Sequence, residues 1–399
     1  MSELLTVDDA IAAILATAST VAKLEHVQLD DASQRILAAD IIAAINVPPA
    51  DNSAMDGYAI NTQDLSSTET TRLPISQRIT AGTPPVTLAK KTAARIFTGA
   101  EIPQGANAVV MQERCEQQGD ILICPSDIAV GNNIRKQGQD IQQHATVLKK
   151  GHYCQPQDIG LLASIGIAQV PVYRPLTVAI LSTGSELVEP GQPLAAGQIY
   201  NSNRFLLKSF LKRQHINIID LKSVEDSLGA TEHLLTQGMQ ADCIISTGGV
   251  SVGDEDYIKQ AVKNLGELNL WRIAMKPGKP LAFGNIGNTP FFGLPGNPVS
   301  AFTTFLLFVQ PFLQTLQGQR IEKPRQYRLT ADFTMKANPI RQEYIRIKII
   351  DDKAVAFSNQ SSGVLSSTSW ADGLAIMQAK QDISIGDTVN VLLLSDLIP

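Results

Sequence analysis

Cysteine is scarce in this chain, and nothing in its placement suggests a site. Cys115, Cys124, Cys154 and Cys243 are widely spaced and none falls in a Cys-x-x-Cys pair. That argues against a zinc centre or a disulfide framework and predicts free thiols in a reducing compartment. The five histidines, His26, His144, His152, His215 and His233, lack the spacing of metal ligands. No Walker A loop and no Gly-x-Gly-x-x-Gly run occurs, so neither a nucleotide-hydrolysing motor nor a dehydrogenase is supported. Neither sign of charge dominates: 33 Lys and Arg against 38 Asp and Glu leave a net charge of −5. A general nucleic-acid binder needs a basic footprint, whereas local basic pockets remain compatible with this balance. Long apolar runs are missing too. Residues 301–309 are too few to span a bilayer, and Gln310-Pro311 is expected to end that stretch within a long apolar helix over residues 299–316. Lys23 is the first basic residue, behind Glu3, Asp8 and Asp9, which does not fit a signal peptide. These absences predict a cytoplasmic protein with no membrane and no nucleic-acid partner.

What is present is a chain of 399 residues, 44% hydrophobic, enough for two to four domains of about 100–200 residues each. Thr6 and Asp9 form a Thr-x-x-Asp capping pattern ahead of an alanine-rich helix. A second helix is expected over residues 31–38, before Val47-Pro48-Pro49 breaks the pattern. This first region, residues 1–45, reads as an N-terminal helical or linker unit. Residues 46–140 carry short strand-like runs between turn signals such as Gln118-Gly119-Asp120 and predict an inserted β-rich domain. Residues 141–172, with a short helix over 157–165, read as a linker returning to the N-terminal region. From 173 to 324 strands alternate with helices, predicting βαβ units and a mostly parallel sheet. Residues 325–399 read as a compact all-β tail. The fold class expected is α/β multidomain.

Three glycine-rich turns follow strands of the α/β region. They are Ser182-Thr183-Gly184-Ser185-Glu186, Gly248-Gly249-Val250-Ser251 and Pro295-Gly296-Asn297-Pro298. Ligands bind at the carboxyl ends of strands in open α/β sheets. Glycine there lets backbone N–H groups approach an anion, and a following helix N-terminus adds partial positive charge. Asn297 is expected to cap such a helix, with Pro298 at its first position. A lone turn of this kind is often only a turn, but three on one edge point to a phosphate-bearing ligand. Lys276-Pro277-Gly278-Lys279-Pro280 sets two lysines on a rigid turn suited to an oxyanion. The nearby acids Glu186, Asp226, Asp254, Glu255 and Asp256 would repel phosphate unless a cation such as Mg²⁺ intervened.

These turns, in this order, resemble the molybdopterin-binding family. Pro48-Pro49-Ala50-Asp51-Asn52-Ser53-Ala54-Met55-Asp56-Gly57-Tyr58-Ala59 looks like the signature of its insertase branch, MoeA, to which a domain of gephyrin also belongs. Ile96-Phe97-Thr98-Gly99-Ala100 and the run from Asn133 through Arg135 to Asp140 fit as well. The resemblance covers essentially the whole chain. It implies an N-terminal and linker domain, an inserted β domain, a central three-layer molybdopterin-binding α/β domain and a C-terminal β-barrel. It also implies a homodimer whose sites lie between the α/β domain of one subunit and the β domain of the other. The implied reaction transfers molybdenum from molybdate into adenylylated molybdopterin, releasing AMP, with Mg²⁺ as cofactor. Carried onto this sequence, Asp56, Thr98, Asp140 and Glu186 match catalytic positions. Arg135, Lys276, Lys279 and the three turns would hold substrate, and Asp226 and Asp256 would hold or orient around the metal. Arg346 and Ser366-Ser367-Thr368-Ser369 are the nearest candidates for a basic residue and serines that the family uses in the C-terminal domain. Contact with other proteins of molybdenum cofactor biosynthesis is a further implication. Two other readings share the α/β domain: a molybdopterin adenylyltransferase, which would lack the Asp56 segment, and a non-catalytic scaffold, which has no need for so many convergent charges.

Overall fold

The computed structural model describes residues 4–224, 227–248, 257–278 and 280–398. Asp226, Gly249, Val250, Ser251, Asp254, Glu255, Asp256 and Lys279 lie outside the described residues.

Thr6 caps the first helix, Val7–Ala16, its Oγ1 accepting the Asp9 N–H, as the capping pattern predicts. The expected helix over residues 31–38 does not form. Leu29–Asp31 makes a single 3-10 turn, Gln34 turns left-handed at φ 62°, and Ile36 and Leu37 bridge to Tyr153 and Val172. Helix propensity yields here to strand pairing with distant segments. Leu24–Gln28 pairs antiparallel with Gln169–Tyr173, and Ile41–Ile42 with Thr146–Leu148. Leu37, Leu162, Val170 and Val172 form the core between them.

Between these pairings lies a six-stranded sheet. Its order is Ala108–Met111, Gly57–Ile60, Ala93–Ile96, Thr71–Ile79, Ile121–Cys124, Glu116–Gln118. Tyr58 and Ala59 alternate into separate cores on its two faces, the period-2 pattern of a strand covered on both sides.

The central sheet runs Asn217–Val224, Thr177–Thr183, Cys243–Thr247, Thr289–Leu294, Pro280–Ile286, Gly266–Arg272. The first four strands are parallel, and Pro280–Ile286 is antiparallel to both of its neighbours. Val178 and Ile180 enter one core with Leu207, Phe210 and Phe305, while Ala179 and Leu181 enter another with Leu235 and Ile258. Helices thus cover both faces, giving three layers. Pro280–Ile286 is a strand that the sequence pattern does not announce. It turns back on Thr289–Leu294 through Gly287-Asn288, where Gly287 has φ 55°, a two-residue hairpin that glycine makes accessible.

The long apolar helix forms where the sequence pattern expects it, over residues 299–316. It runs Pro298–Leu316 and is mostly buried in the fold. Proline removes a backbone donor and crowds the preceding turn. The chain accommodates this with a π turn over Phe305–Val309, the wider coil in which such a misfit is absorbed.

The tail closes into a five-stranded barrel: Gln342–Ile350, Lys353–Ala356, Tyr327–Ala331, Thr388–Leu393 and Gly373–Met377, the last pairing back on the first. Met275–Lys276 joins the barrel edge by pairing in parallel with Gln342 and Glu343. This ties the barrel to the α/β domain beside the lysine turn.

Candidate functional site

Thr177–Thr183, Cys243–Thr247 and Thr289–Leu294 are neighbours in the sheet and end on the same edge, which brings the three glycine turns together. The Gly248 N–H donates to the Leu294 carbonyl at 3.2 Å. Gly248 has φ +83°, and a Cβ there would lie 2.8 Å from the Thr183 carbonyl oxygen, so only glycine lets these strands meet this closely. Gly296 accepts from Asn203 Nδ2 at 2.7 Å, joining the third turn to the start of Ser202–Arg213. Ser182 is buried, and its hydroxyl meets Thr247 Oγ1 at 3.2 Å inside the sheet, whereas Ser185 and Glu186 are exposed on the turn. Thr183 Oγ1, Asn201 Nδ2, Asn203 Oδ1 and Ser246 Oγ are buried without a hydrogen-bond partner among the described residues. An unsatisfied buried polar atom costs about 1–3 kcal/mol, and a polar ligand on this edge is the kind of partner that would complete them.

Asn297 does hold the N-cap position of the long helix, with Pro298 at its first turn, but its side chain makes no capping bond. The Val299 N–H donates instead to the Ser362 carbonyl of the barrel tail at 3.0 Å. Tertiary contact has replaced the side-chain cap.

Glu343 interacts with two cations where the barrel meets the lysine turn. Lys276 stands directly opposite Glu343, with Nζ 3.0 Å from Oε2. Arg346 lies on the same strand as Glu343 and is 1% exposed. Its Nε donates to Ser367 Oγ at 3.1 Å, and its two Nη atoms donate to the carbonyls of Tyr344 and Ser361 at 3.4 and 3.2 Å. Burial pulls its pKa down to about 10, opposed by the charge of Glu343. Among the serines at 366–369, Ser367 is the buried one that bonds Arg346. Gly278, at φ +115°, leaves room for Thr304 Oγ1, a buried hydroxyl with no partner among the described residues. Sequence reasoning does not single out Glu343 or Thr304. The available signal for Glu343 is that it is the one acid in a strand that also carries Arg346 and Lys348.

On the inserted domain, Asp56 Oδ1 accepts from both the N–H and Oγ1 of Thr98 at 2.8 Å. These bonds, helped by the Arg95 charge, hold the Asp56 carboxyl below its usual range. Arg95 donates to the Gly57 carbonyl at 2.9 Å and stacks on Phe97 and Tyr58. Arg135 is exposed on the short strand that pairs with Asn52-Ser53. Asp140 is exposed, its N–H donating to the Val47 carbonyl at 3.0 Å. Asp56 and Thr98 are thus brought together. Among the described residues, no hydrogen bond or ion pair joins them, Arg135 or Asp140 to the glycine turns or to Lys276.

For a metal, no group of three or more His, Cys, Asp or Glu gathers among the described residues. The edge does offer oxygen donors, Glu186 and the unpartnered hydroxyls of Thr183 and Ser246, a set whose chemistry fits a hard cation such as Mg²⁺.

Three family profiles match the chain in sequence: the MoeA N-terminal region (domains I and II) over residues 5–166, a probable molybdopterin binding domain over 179–315, and the MoeA C-terminal region (domain IV) over 328–394. A molybdopterin molybdenumtransferase of Haemophilus influenzae is 40% identical over 398 residues, covering 97% of this chain and 98% of that protein. A molybdopterin molybdenumtransferase of Nostoc is 34% identical, covering 92% and 88%. Among solved structures, a molybdopterin biosynthesis MoeA protein from Pyrococcus horikoshii superposes with a TM-score of 0.83 at 30% identity, covering 98% of this chain and 99% of that one.

Proposed function

The chain belongs to the MoeA family of molybdopterin molybdenumtransferases, and on that premise we propose that it releases AMP from adenylylated molybdopterin as molybdenum is inserted from molybdate. The observation that carries this reading is the buried Arg346 guanidinium held by Ser367, three residues along the strand from the Glu343 that pairs with Lys276. A guanidinium has five N–H donors, and Arg346 places one each from Nε, Nη1 and Nη2. Among the described residues one donor on each Nη atom is left for an oxyanion, and two such donors match a tetrahedral oxyanion in the forked geometry arginine favours. Lys276 adds a second charge from the neighbouring strand.

The glycine turns would cradle the pterin phosphate and the pyrophosphate with backbone N–H groups. The Thr98 bonds lower the Asp56 pKa, which makes the carboxylate a weaker base. Its fitting role is to orient the attacking oxygen or a group on the nucleotide. Arg135 and Asp140 would act beside it. Mg²⁺, when bound by Glu186 with Asp226 and Asp256, would neutralise charge on the pyrophosphate.

Asp56 and Lys276 belong to one reaction in this reading, yet no bond among the described residues joins their segments within one chain. A homodimer that sets the inserted domain of one subunit over the turns of its partner accounts for this. Exposed Ile199, Tyr200 and Phe205, close to the glycine edge in sequence, supply apolar surface for such a contact. Four free thiols suit a cytoplasmic location.

The test incubates purified protein with adenylylated molybdopterin and Mg²⁺, with and without molybdate, and follows AMP by chromatography. Molybdate-dependent AMP release that is lost in Asp56→Ala supports the insertase. Tight ligand binding without AMP release would leave a scaffold as the better account, and ATP turnover would favour an adenylyltransferase.

A further inference from the structure

We propose that Glu343 is the resident counter-anion of the oxyanion site, a carboxylate that neutralises Lys276 until an incoming oxyanion competes with it for the ammonium. The inference rests on the reading above that this corner receives molybdate, and adds a residue that sets how tightly the oxyanion is held.

The geometry is asymmetric. The Glu343 side chain is 8% exposed, while that of Lys276 is 48% exposed. The carboxylate is therefore enclosed and the ammonium keeps an open side. Lys276 carries three N–H donors, and its hydrogen bond among the described residues goes to Glu343. An oxyanion can approach Lys276 from the solvent side without first removing the carboxylate.

The charges explain why a carboxylate stands there. The hydrogen-bond partners of the buried Arg346 guanidinium among the described residues are neutral, and an unneutralised buried cation is costly. Glu343 is the acid whose field reaches it, and the same carboxylate pairs with Lys276. Without an oxyanion, Glu343 therefore stabilises the folded corner. With one bound, the balance reverses. Glu343 already serves both Lys276 and Arg346, and once an oxyanion sits on Lys276 the carboxylate adds a negative charge beside it. The carboxylate should thus weaken retention of any dianion, sulfate included, and favour transfer over storage.

The test is calorimetric titration of molybdate at constant ionic strength, with thermal melts, on the wild type, Glu343→Gln, Glu343→Asp and Lys276→Met. Under the proposal Glu343→Gln binds molybdate about tenfold tighter. It melts below the wild type without oxyanion and gains more from added molybdate. Its KM for molybdate in AMP release falls, while its KM for adenylylated molybdopterin does not move. Glu343→Asp keeps the charge but withdraws it by one methylene, so it remains informative if the glutamine variant does not fold. It should bind molybdate about two- to threefold tighter, because competition at Lys276 is reduced. Equal or weaker molybdate binding in both variants would overturn the proposal and make Glu343 a support for Lys276. A wild type with no molybdate response that Lys276→Met alters removes the oxyanion site itself, and the proposal with it.

Discussion

Asp220 shows how one carboxylate can hold several cations in place. It accepts from Arg204 Nε and Nη2 at 2.8 and 2.7 Å and from Lys208 at 2.7 Å. These bonds outweigh its partial burial and bring its pKa down to about 2. Because the folded value lies below the unfolded one of about 3.9, the contribution to stability is full above pH 4. It is lost as pH falls through about 2. Allowing for solvent screening it is worth about 1–2 kcal/mol. Asp220→Asn should lower stability at neutral pH by that order and flatten the fall in denaturation midpoint between pH 4 and pH 2, as measured by urea unfolding. An unchanged acid limb would show that Asp220 is not the group responsible. Asp56 offers a second titration. Thr98→Val removes one of its two bonds, so the carboxyl should titrate closer to its ordinary value in NMR, and AMP release should fall by about tenfold or more. A carboxyl that does not move would show that the Thr98 hydroxyl is not what holds it down.

The Gly248 turn joins three strands through one backbone conformation. Gly248→Ala puts a methyl 2.8 Å from the Thr183 carbonyl at a φ of +83°. About 1–3 kcal/mol of destabilisation is expected, with loss of affinity for adenylylated molybdopterin that exceeds any loss for molybdate. Equal losses for both ligands would mean that the turn serves the fold alone. The position of this turn is legible in the sequence because a glycine-rich segment after an apolar run marks a strand end. Other elements are not. Residues 31–38 look helical in isolation, but Ile36 and Leu37 are claimed by strands more than a hundred residues away, and a local pattern carries no trace of that. Pro280–Ile286 hides behind two prolines, although Gly287-Asn288 is a hairpin signal. The long helix is legible, but the π turn that carries it past Pro311 is not. The partnership of Lys276 with Glu343 depends on parallel pairing between domains, which neither segment encodes alone.

Within one chain the residues assigned to the reaction fall into two groups, Asp56 with Thr98 on the inserted sheet and Lys276 with Arg346 where the barrel meets the α/β domain. Among the described residues no bond joins the two groups, so a reaction that needs both would unite them by domain movement or by a second subunit. Pairing of the segments flanking the inserted sheet, Ile41–Ile42 with Thr146–Leu148 and Leu24–Gln28 with Gln169–Tyr173, braces its base and favours the second route. The expected assembly therefore elutes at twice the chain mass of 43.0 kDa. In a two-fold dimer each site would take one group from each subunit. Asp56→Ala and Lys276→Ala should each be inactive alone. After the two are unfolded and refolded together, half the dimers are mixed, and each mixed dimer holds one intact site beside one doubly altered site. Activity should then recover to about a quarter of the wild type. Sites built within single chains would give no recovery, because every chain in the mixture would still lack one of the two groups.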